Sequence, residues 1–153
     1  MTKRVAILMG SANDAEEMAP AREMLERFDV PHEVWAMSAH RNADAVREFV
    51  SSARANDFGA VIAGAGMAAH LAGACAAHTT LPVIGVPLAS SALNGVDSLY
   101  SIVQMPTGLP VATVAINGTA NAALLAVEIL SVSDDDLAKK LDEYRNKWEA
   151  KRL

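Results

Sequence analysis

The chain has 153 residues, of which 13 are Lys or Arg and 18 are Asp or Glu, so its formal charge is −5. Because 52% of the residues are hydrophobic and only 20% are charged, the composition excludes a disordered chain and indicates one globular domain with a sizeable core. The acidic balance disfavours non-specific nucleic-acid binding, and the single cysteine excludes both a disulfide scaffold and a cysteine-rich zinc site.

The first half of the chain alternates apolar runs with amphipathic segments. The run Val5–Met9 predicts a buried strand ending at Gly10, and no signal peptide precedes it, so we expect a cytoplasmic protein. The next predicted elements, in order, are a helix over Ala15–Phe28, a strand over His32–Met37, a helix over Asn42–Asn56 and a strand over Ala60–Ala63 closed by Gly64–Gly66.

The second half continues the alternation. Its predicted elements are a small-residue helix ending near Thr79, a strand over Pro82–Val86, a helix over Val96–Val103, a strand over Val111–Ile116 and a helix over Ala120–Leu130. The segment Ser133–Asp136 resembles a helix N-cap followed by an acidic first turn. It opens a charged final helix, about Asp134–Lys151, which we expect to lie outside the main body.

Charge is almost absent from the middle of the chain. Between Phe58 and Val127 the only formally charged residue is Asp97. A membrane span is disfavoured, because the best window, Phe58–His78, is rich in Ala and Gly and lacks a sustained run of large apolar residues. Since the surface of a monomer normally carries charge, the pattern predicts an obligate homo-oligomer with a large apolar interface.

Apolar strands without polar alternation predict a parallel sheet covered by helices on both faces, which is a three-layer α/β/α arrangement. Five such strands favour a flavodoxin-like, doubly wound topology. We expect this α/β domain to cover residues 1–131, with a C-terminal charged helix over 132–153 packed on the oligomer.

Ligands of such sheets bind at the carboxyl ends of the strands. Gly10 and Ser11 follow the first strand and offer backbone N–H groups and a hydroxyl to a phosphate, although the Gly-Lys-Ser/Thr of a nucleotide P-loop is missing. Arg41 follows the second strand and is either a phosphate ligand or a solvated loop charge. Asp14 either faces the helix dipole or accepts hydrogen bonds from ribose hydroxyls.

His40 is the candidate general acid and base, because histidine can give and take a proton near neutral pH. His70 either points into the same pocket or is a hydrogen-bonded residue at a helix start. His32 and His78 are interpreted as structural. No pair of histidines has the His-x-x-x-His spacing of a zinc site, so we predict no metal.

Five motifs occur in a fixed order along residues 4–131. They are Met-Gly-Ser-x-x-Asp, Ser-Ala-His-Arg, Ala-Gly-Ala-Gly-x-Ala-Ala-His-Leu, Asp-Ser-Leu-Tyr-Ser-Ile-Val-Gln-Met-Pro and Ala-Asn-Ala-Ala-Leu-Leu. Together they resemble the PurE family, the 5-(carboxyamino)imidazole ribonucleotide mutases of purine (IMP) biosynthesis. The segments Ser38–Arg41 and Ala69–His70 resemble the mutase class, since the related direct carboxylases typically have Lys after the His.

The resemblance implies a cofactor-free isomerase that moves a carboxylate from the exocyclic nitrogen to ring carbon 4, with His40 as proton shuttle. It also implies a cytoplasmic homo-octamer with sites near subunit boundaries. Ser11, Asp14 and Arg41 would bind the ribose phosphate with support from Ser38. The full implied set of substrate-binding residues is Gly10, Ser11, Asp14, Ser38, Arg41, Gly64, Gly66 and His70, the last three shaping the ring and carboxylate end.

Several positions depart from the family pattern. They are Asn13 for Ser, Ala15 for Trp, Asn42-Ala43 for Thr-Pro, Met67 for Gly, Ala72 for Pro, and a loop at Asn117–Thr119 that is about two residues shorter. The departure at Met67 has the largest expected effect, because a long flexible side chain there would lie where the substrate ring should lie.

Three alternatives remain open. One is a direct phosphoribosylaminoimidazole carboxylase that uses carbon dioxide. Another is a flavodoxin-like module that binds a flavin phosphate through Gly10–Asp14, which an aromatic content of 5% disfavours. The third is a paralogue that has kept the oligomer and lost activity.

Overall fold

The protein is a single parallel sheet with helices on both faces, in a computed structural model that describes residues 2–146. The strands are Arg4–Met9 (β1), His32–Ala36 (β2), Phe58–Gly66 (β3), Val83–Leu88 (β4) and Ala112–Thr113 (β5). The helices are Ala15–Arg27 (α1), Ala43–Ala53 (α2), Leu71–Ala76 (α3), Val96–Val103 (α4), Thr119–Ser131 (α5) and Asp135–Arg145 (α6). The spatial order is β2-β1-β3-β4-β5, so the predicted flavodoxin-like doubly wound topology is confirmed.

The two faces of the sheet carry separate hydrophobic clusters. Along β1, Val5 and Ile7 belong to the cluster under α1, α5 and α6, whereas Ala6 and Leu8 belong to the cluster under α2, α3 and α4. All four side chains are fully buried. Because water reaches neither face, β1 needs no polar alternation, which is why its sequence is a continuous apolar run.

The third and fourth strands are longer than predicted. β3 continues through Gly64–Gly66, where the sequence pattern predicted its end, and β4 continues through Pro87 to Leu88. The two strands pair as far as Gly66 and Leu88. Glycines therefore do not end β3, because its neighbour supplies a pairing partner to the last residue. The helix α3 is shorter than predicted and ends at Ala76.

The fifth strand is much shorter than the predicted Val111–Ile116. Regular pairing with β4 covers only Ala112 and Thr113. Beyond them, Val114 N–H donates to the Gly85 carbonyl at 3.2 Å and Asn117 N–H donates to the Pro87 carbonyl at 2.8 Å. Three residues on one side thus span two on the other, which is the spacing of a bulge, and the regular ladder ends there.

The C-terminal helix begins at the predicted N-cap segment. Asp134 is the N-cap, since its side chain accepts a hydrogen bond from Leu137 N–H at 3.1 Å. Leu137 and Leu141 are buried in the core cluster with α5, so the described part of α6 packs on the body of its own chain. The expectation that this helix lies outside the main body is therefore wrong for residues 135–145. The rest of the predicted helix, 147–151, lies outside the described residues, and packing of this helix on an oligomer stays a prediction.

No helix within residues 2–146 has the length and apolar character needed to cross a membrane.

Candidate active site

A cavity of about 320 Å³ lies at the carboxyl ends of the strands, where doubly wound sheets bind ligands. The loops after β1, β2, β3 and β4 all contribute to its lining. Eight of the nine predicted site residues line it, namely Gly10, Ser11, Asp14, Ser38, His40, Arg41, Gly66 and His70. The predicted site residues therefore meet in one place, although they come from three separate loops.

The backbone N–H groups of Gly10 and Ser11, in the loop after β1, already donate to acceptors within the protein. Gly10 N–H donates to the Gly64 carbonyl at 3.0 Å, and Ser11 N–H donates to the Asp14 carboxylate at 3.1 Å. The Ser11 hydroxyl accepts from Asn13 N–H at 3.2 Å, which completes a capping box. The expectation that Gly10 and Ser11 offer free N–H groups to a phosphate is therefore wrong, and the Ser11 hydroxyl hydrogen is the donor left on these two residues.

Asp14 joins the capping box to the cavity wall. Burial raises the pKa of its carboxyl above the ordinary value, the bond from Ser11 N–H opposes this shift, and the charge of Glu17 adds to it. One oxygen, Oδ2, is used by Ser11. The carboxylate also accepts through its other oxygen, so Asp14 can cap its helix and still bind ligand hydroxyls.

The loop after β2 is held by Ser38. Its buried hydroxyl accepts from the N–H groups of both His40 and Arg41, each at 3.2 Å. Asn42 closes the same loop, because its side-chain oxygen accepts from Ser38 N–H at 3.2 Å and its N–H donates to the Ser38 carbonyl at 2.8 Å. Ser38 therefore fixes the backbone from which His40 and Arg41 project.

Arg41 is exposed and forms no ion pair with any acidic residue in the described part of the chain. Other arginines of the protein behave differently: Arg4 pairs with Glu33, and Arg47 with Asp44. The guanidinium at the cavity is thus available to an anionic ligand, which it can hold by charge-assisted hydrogen bonds.

The two histidines of the cavity contact each other. Nε2 of His40 lies 2.6 Å from Nδ1 of His70, and the rings meet edge to face with centroids 4.8 Å apart. Such a bond needs one nitrogen to donate and the other to accept, and the tautomers decide which ring donates. His70 is both the N-cap residue of α3 and a residue of the pocket, where its ring lies beside the candidate acid and base instead of capping the helix.

The glycines at the end of β3 have different tasks. A Cβ on Gly66 would lie 1.6 Å from the Ser90 hydroxyl oxygen, so Gly66 makes room for Ser90 at the cavity wall. Gly64 does not line the cavity: a Cβ there would lie 2.4 Å from the Met18 sulfur. Gly64 is a packing residue that also accepts from Gly10, which corrects its expected place in the ring pocket.

Ser90 is a lining residue that the sequence reasoning did not select. It follows β4, whose carboxyl end faces the same edge as those of β1 and β3. Position after a central strand is the signal that could have found it. The same test also selects Asn117, but that side chain accepts from Ala89 N–H at 2.9 Å and does not line the cavity.

Met67 lies at the opening of the cavity. It lines the wall, yet 61% of its surface is exposed, so its side chain does not fill the space as the sequence led us to expect. Its φ is +55°, in the left-handed region where glycine is favoured.

A larger groove of about 850 Å³ lies at the amino end of β4, beside Pro82. Arg54 lines it and donates to the carbonyl and hydroxyl oxygens of Thr80, both at 3.0 Å. None of the predicted site residues lines this groove, so we assign the site to the smaller cavity.

Comparison with known proteins decides the family. The family model described as AIR carboxylase matches residues 4–151. The chain belongs to this family. The N5-carboxyaminoimidazole ribonucleotide mutase of Bacillus subtilis is 55% identical over 147 residues, which cover 95% of this chain and 91% of that protein. The resemblance inferred from the motifs is therefore confirmed.

Two further similar proteins are informative. A phosphoribosylaminoimidazole carboxylase of Candida glabrata is 52% identical over 95% of this chain, which spans only 25% of that longer protein. The crystal structure of Treponema denticola PurE has a TM-score of 0.86 and 30% identity, and the match covers 94% of this chain and 90% of that one. The structural match to Treponema denticola PurE thus agrees with the family assignment made from sequence.

Proposed function

We propose that this protein is an N5-carboxyaminoimidazole ribonucleotide mutase, an isomerase of purine biosynthesis. It moves the carboxylate from the exocyclic nitrogen to ring carbon 4 and gives 5-amino-1-(5-phosphoribosyl)imidazole-4-carboxylate. The observation that carries the proposal is the His40–His70 pair at 2.6 Å, in one cavity with Arg41, which has no ion pair among residues 2–146. The name of the 55% identical Bacillus subtilis relative supports the same reaction.

The chemistry needs a group that first gives a proton and then takes one. The bond between the exocyclic nitrogen and the carboxylate carbon breaks, carbon dioxide is released into the cavity, and the nitrogen takes a proton from His40. Carbon 4 then attacks carbon dioxide and loses its own proton to His40. The protons balance, so no cofactor, oxidant or net acid is required.

The contact with His70 suits this double task. Nδ1 of His70 accepts while Nε2 of His40 carries a proton and donates when it does not, so His70 changes tautomer between the two halves of the reaction. His70 therefore orients His40 in both halves of the reaction. Ser38 contributes by fixing the His40 backbone through its hydroxyl.

The anionic end of the substrate is placed by the first two loops. Arg41 and the Ser11 hydroxyl bind the phosphate, and Asp14 accepts from the ribose hydroxyls. Small and apolar residues, including Ala65, Ala68 and Leu71, also line the cavity. Apolar lining suits an uncharged intermediate, because it offers water no hydrogen-bond partner.

Direct carboxylation is the second candidate. The Candida glabrata relative named as a carboxylase is nearly as similar to this chain as the mutase is. Two facts favour the mutase: Arg41 follows His40 as in the mutase-class motif, and the chain spans nearly the full length of the mutase relative.

One assay separates the two reactions. The purified protein receives either the carboxyamino ribonucleotide alone, or the aminoimidazole ribonucleotide with bicarbonate, and each reaction is corrected with a no-enzyme blank. We expect fast formation of the 4-carboxylate from the first substrate without ATP, metal or bicarbonate. Product formation only from the second mixture would assign the direct carboxylase.

The proposal includes a cytoplasmic homo-octamer. The outward side of α4 supports association, because four apolar side chains are exposed along it and the preceding turn: Leu93 at 62%, Val96 at 44%, Tyr100 at 64% and Val103 at 44%. Exposed apolar surface of this kind is typical of a protein interface. These residues belong to the nearly uncharged stretch from which the oligomer was predicted.

A further inference from the structure

Met67 combines two unfavourable features at the opening of the cavity. Its large apolar side chain is 61% exposed, and its backbone has a φ of +55°, which side chains other than glycine rarely adopt. Strain of this kind persists only where the surrounding fold enforces it, and it concentrates at functional sites. Met67 differs from the other described non-glycine residues with positive φ, which are all Asp or Asn, and its place at the cavity points to a functional role.

The surroundings of Met67 indicate what its side chain can reach. Gly66, which precedes it, is packed under Ser90, so the backbone at this point is fixed against the wall. His70, three residues later, carries the ring that contacts His40. A methionine side chain is unbranched and flexible, so it can rotate from solvent onto a ligand while its backbone stays in place.

We propose that Met67 closes the reaction end of the cavity over the bound ribonucleotide and keeps carbon dioxide there until carbon 4 attacks it. Met67 is a positioning residue, because it holds the reactants in place and transfers no proton itself. The inference rests on the function proposed above. If carbon dioxide leaves after the carbon–nitrogen bond breaks, the protonated nitrogen belongs to free aminoimidazole ribonucleotide, and a 4-carboxylate forms only if carbon dioxide from solution replaces it. Apolar cover opposes this loss by excluding water and sealing the opening.

Retention can be measured with substrate whose carboxylate carbon is isotopically labelled. The reaction is run with excess unlabelled bicarbonate and carbonic anhydrase, and the label in the 4-carboxylate is counted after subtraction of a no-enzyme blank. Loss of label then reports carbon dioxide that has left the cavity. We expect the wild-type protein to retain the label.

Met67→Ala removes the cover and keeps the backbone conformation. We expect label loss to rise at least about threefold and KM to rise about tenfold, because the ligand no longer buries the thioether. Met67→Leu, which restores a side chain of similar volume, is expected to return both values to within about twofold of the wild type.

Met67→Gly distinguishes the effect of the side chain over the cavity from the effect of the backbone strain. Glycine relieves the positive φ, so we expect a higher Tm together with the same label loss as Met67→Ala. Asn94→Gly is the matched control, since Asn94 has a φ of +51° in an exposed turn that does not line the cavity. It should raise Tm without loss of label.

Wild-type KM and label retention in both Met67→Ala and Met67→Gly would overturn the inference. The Met67→Gly variant decides the matter if Met67→Ala does not fold. Failure of the proposed function looks different, because the wild-type protein would then form no 4-carboxylate above the blank.

Discussion

Asp14 illustrates how one side chain serves both the fold and the site. Its carboxylate accepts from Ser11 N–H in the capping box, and it also lines the cavity. Burial raises its pKa, so the folded protein holds the Asp14 proton more tightly than the unfolded chain does. The stability that this shift contributes is present at low pH and is lost as pH rises through the raised pKa.

Asp14→Asn is therefore expected to gain stability relative to the wild type as pH rises from about 3 to about 7. Asparagine still accepts from Ser11 N–H, so the cap survives. Tm measured across this range for both proteins tests the sign, and Asp142→Asn on the exposed side of α6 is the control of equal charge change. A Tm difference that does not vary with pH would contradict the account of Asp14. We also expect Asp14→Asn to bind the ribonucleotide more weakly.

Gly66→Ala tests the close approach at the cavity wall. The added Cβ would meet Ser90 Oγ at 1.6 Å and Ser90 Cβ at 2.9 Å, so rotation of the hydroxyl alone does not relieve the clash. We expect a loss of about 1–3 kcal/mol in the free energy of unfolding and a lower kcat/KM. Denaturant unfolding and steady-state kinetics measure the two effects. The double variant Gly66→Ala/Ser90→Gly should recover part of the lost stability and part of the lost kcat/KM. A single variant with unchanged stability and kinetics would show that the cavity wall shifts to accept the added Cβ.

At the scale of elements, α3 links the core to the site. Its N-cap residue is His70, and Cys75 on its inner side is fully buried. Burial raises the pKa of the Cys75 thiol to about 12, so at ordinary pH the group is neither ionised nor accessible.

Reaction of Cys75 with a thiol reagent therefore measures the opening of α3. We expect negligible labelling of the native protein at about pH 8 and complete labelling in denaturant. Bound ribonucleotide should slow the residual reaction further, because it holds His70 at the helix start. Rapid labelling of the native protein would contradict the packing of α3.

The order of elements could be predicted from the sequence, whereas their ends could not. Apolar runs located β1, β3 and β4, because strands covered on both faces have no polar alternation. The edge strand β2 is half-buried or exposed throughout and is not such a run. The extent of β3 and β5 depends on the neighbouring strand β4, and a single segment carries no information about its pairing partner. The end of β3 was therefore predicted too early and that of β5 too late.

The residues of the site could be predicted from the sequence, whereas the contacts between them could not. Strand ends pointed to His40, Arg41, Ser11 and Asp14, all of which line the cavity. The 2.6 Å contact between His40 and His70 depends on two loops from different strands, and no spacing within one segment reveals it. Likewise, the N–H groups expected for a phosphate are used by Asp14 and Gly64, which only the folded loop shows.

At the scale of the whole molecule, the exposed side of α4 is expected to hold subunits together. Tyr100→Glu places a charge on that surface and should dissociate the oligomer, whereas Val132→Glu is the control. Val132 is 88% exposed at the end of α5, outside the α4 surface. Sedimentation or light scattering measures the mass of each. The association proposal fails if Tyr100→Glu has the mass of the wild type, or if the wild type is a monomer.

The central claim is that His40 moves the proton in a carboxylate transfer that needs no other reagent. The most direct measurement compares the wild type with His40→Asn, using the carboxyamino ribonucleotide without ATP, bicarbonate or metal and subtracting a no-enzyme blank. We predict formation of the 4-carboxylate by the wild type and a rate lower by about 10²–10⁴-fold for a folded His40→Asn protein of unchanged mass. A His40→Asn protein as fast as the wild type, or a wild type no faster than the blank, would contradict the account.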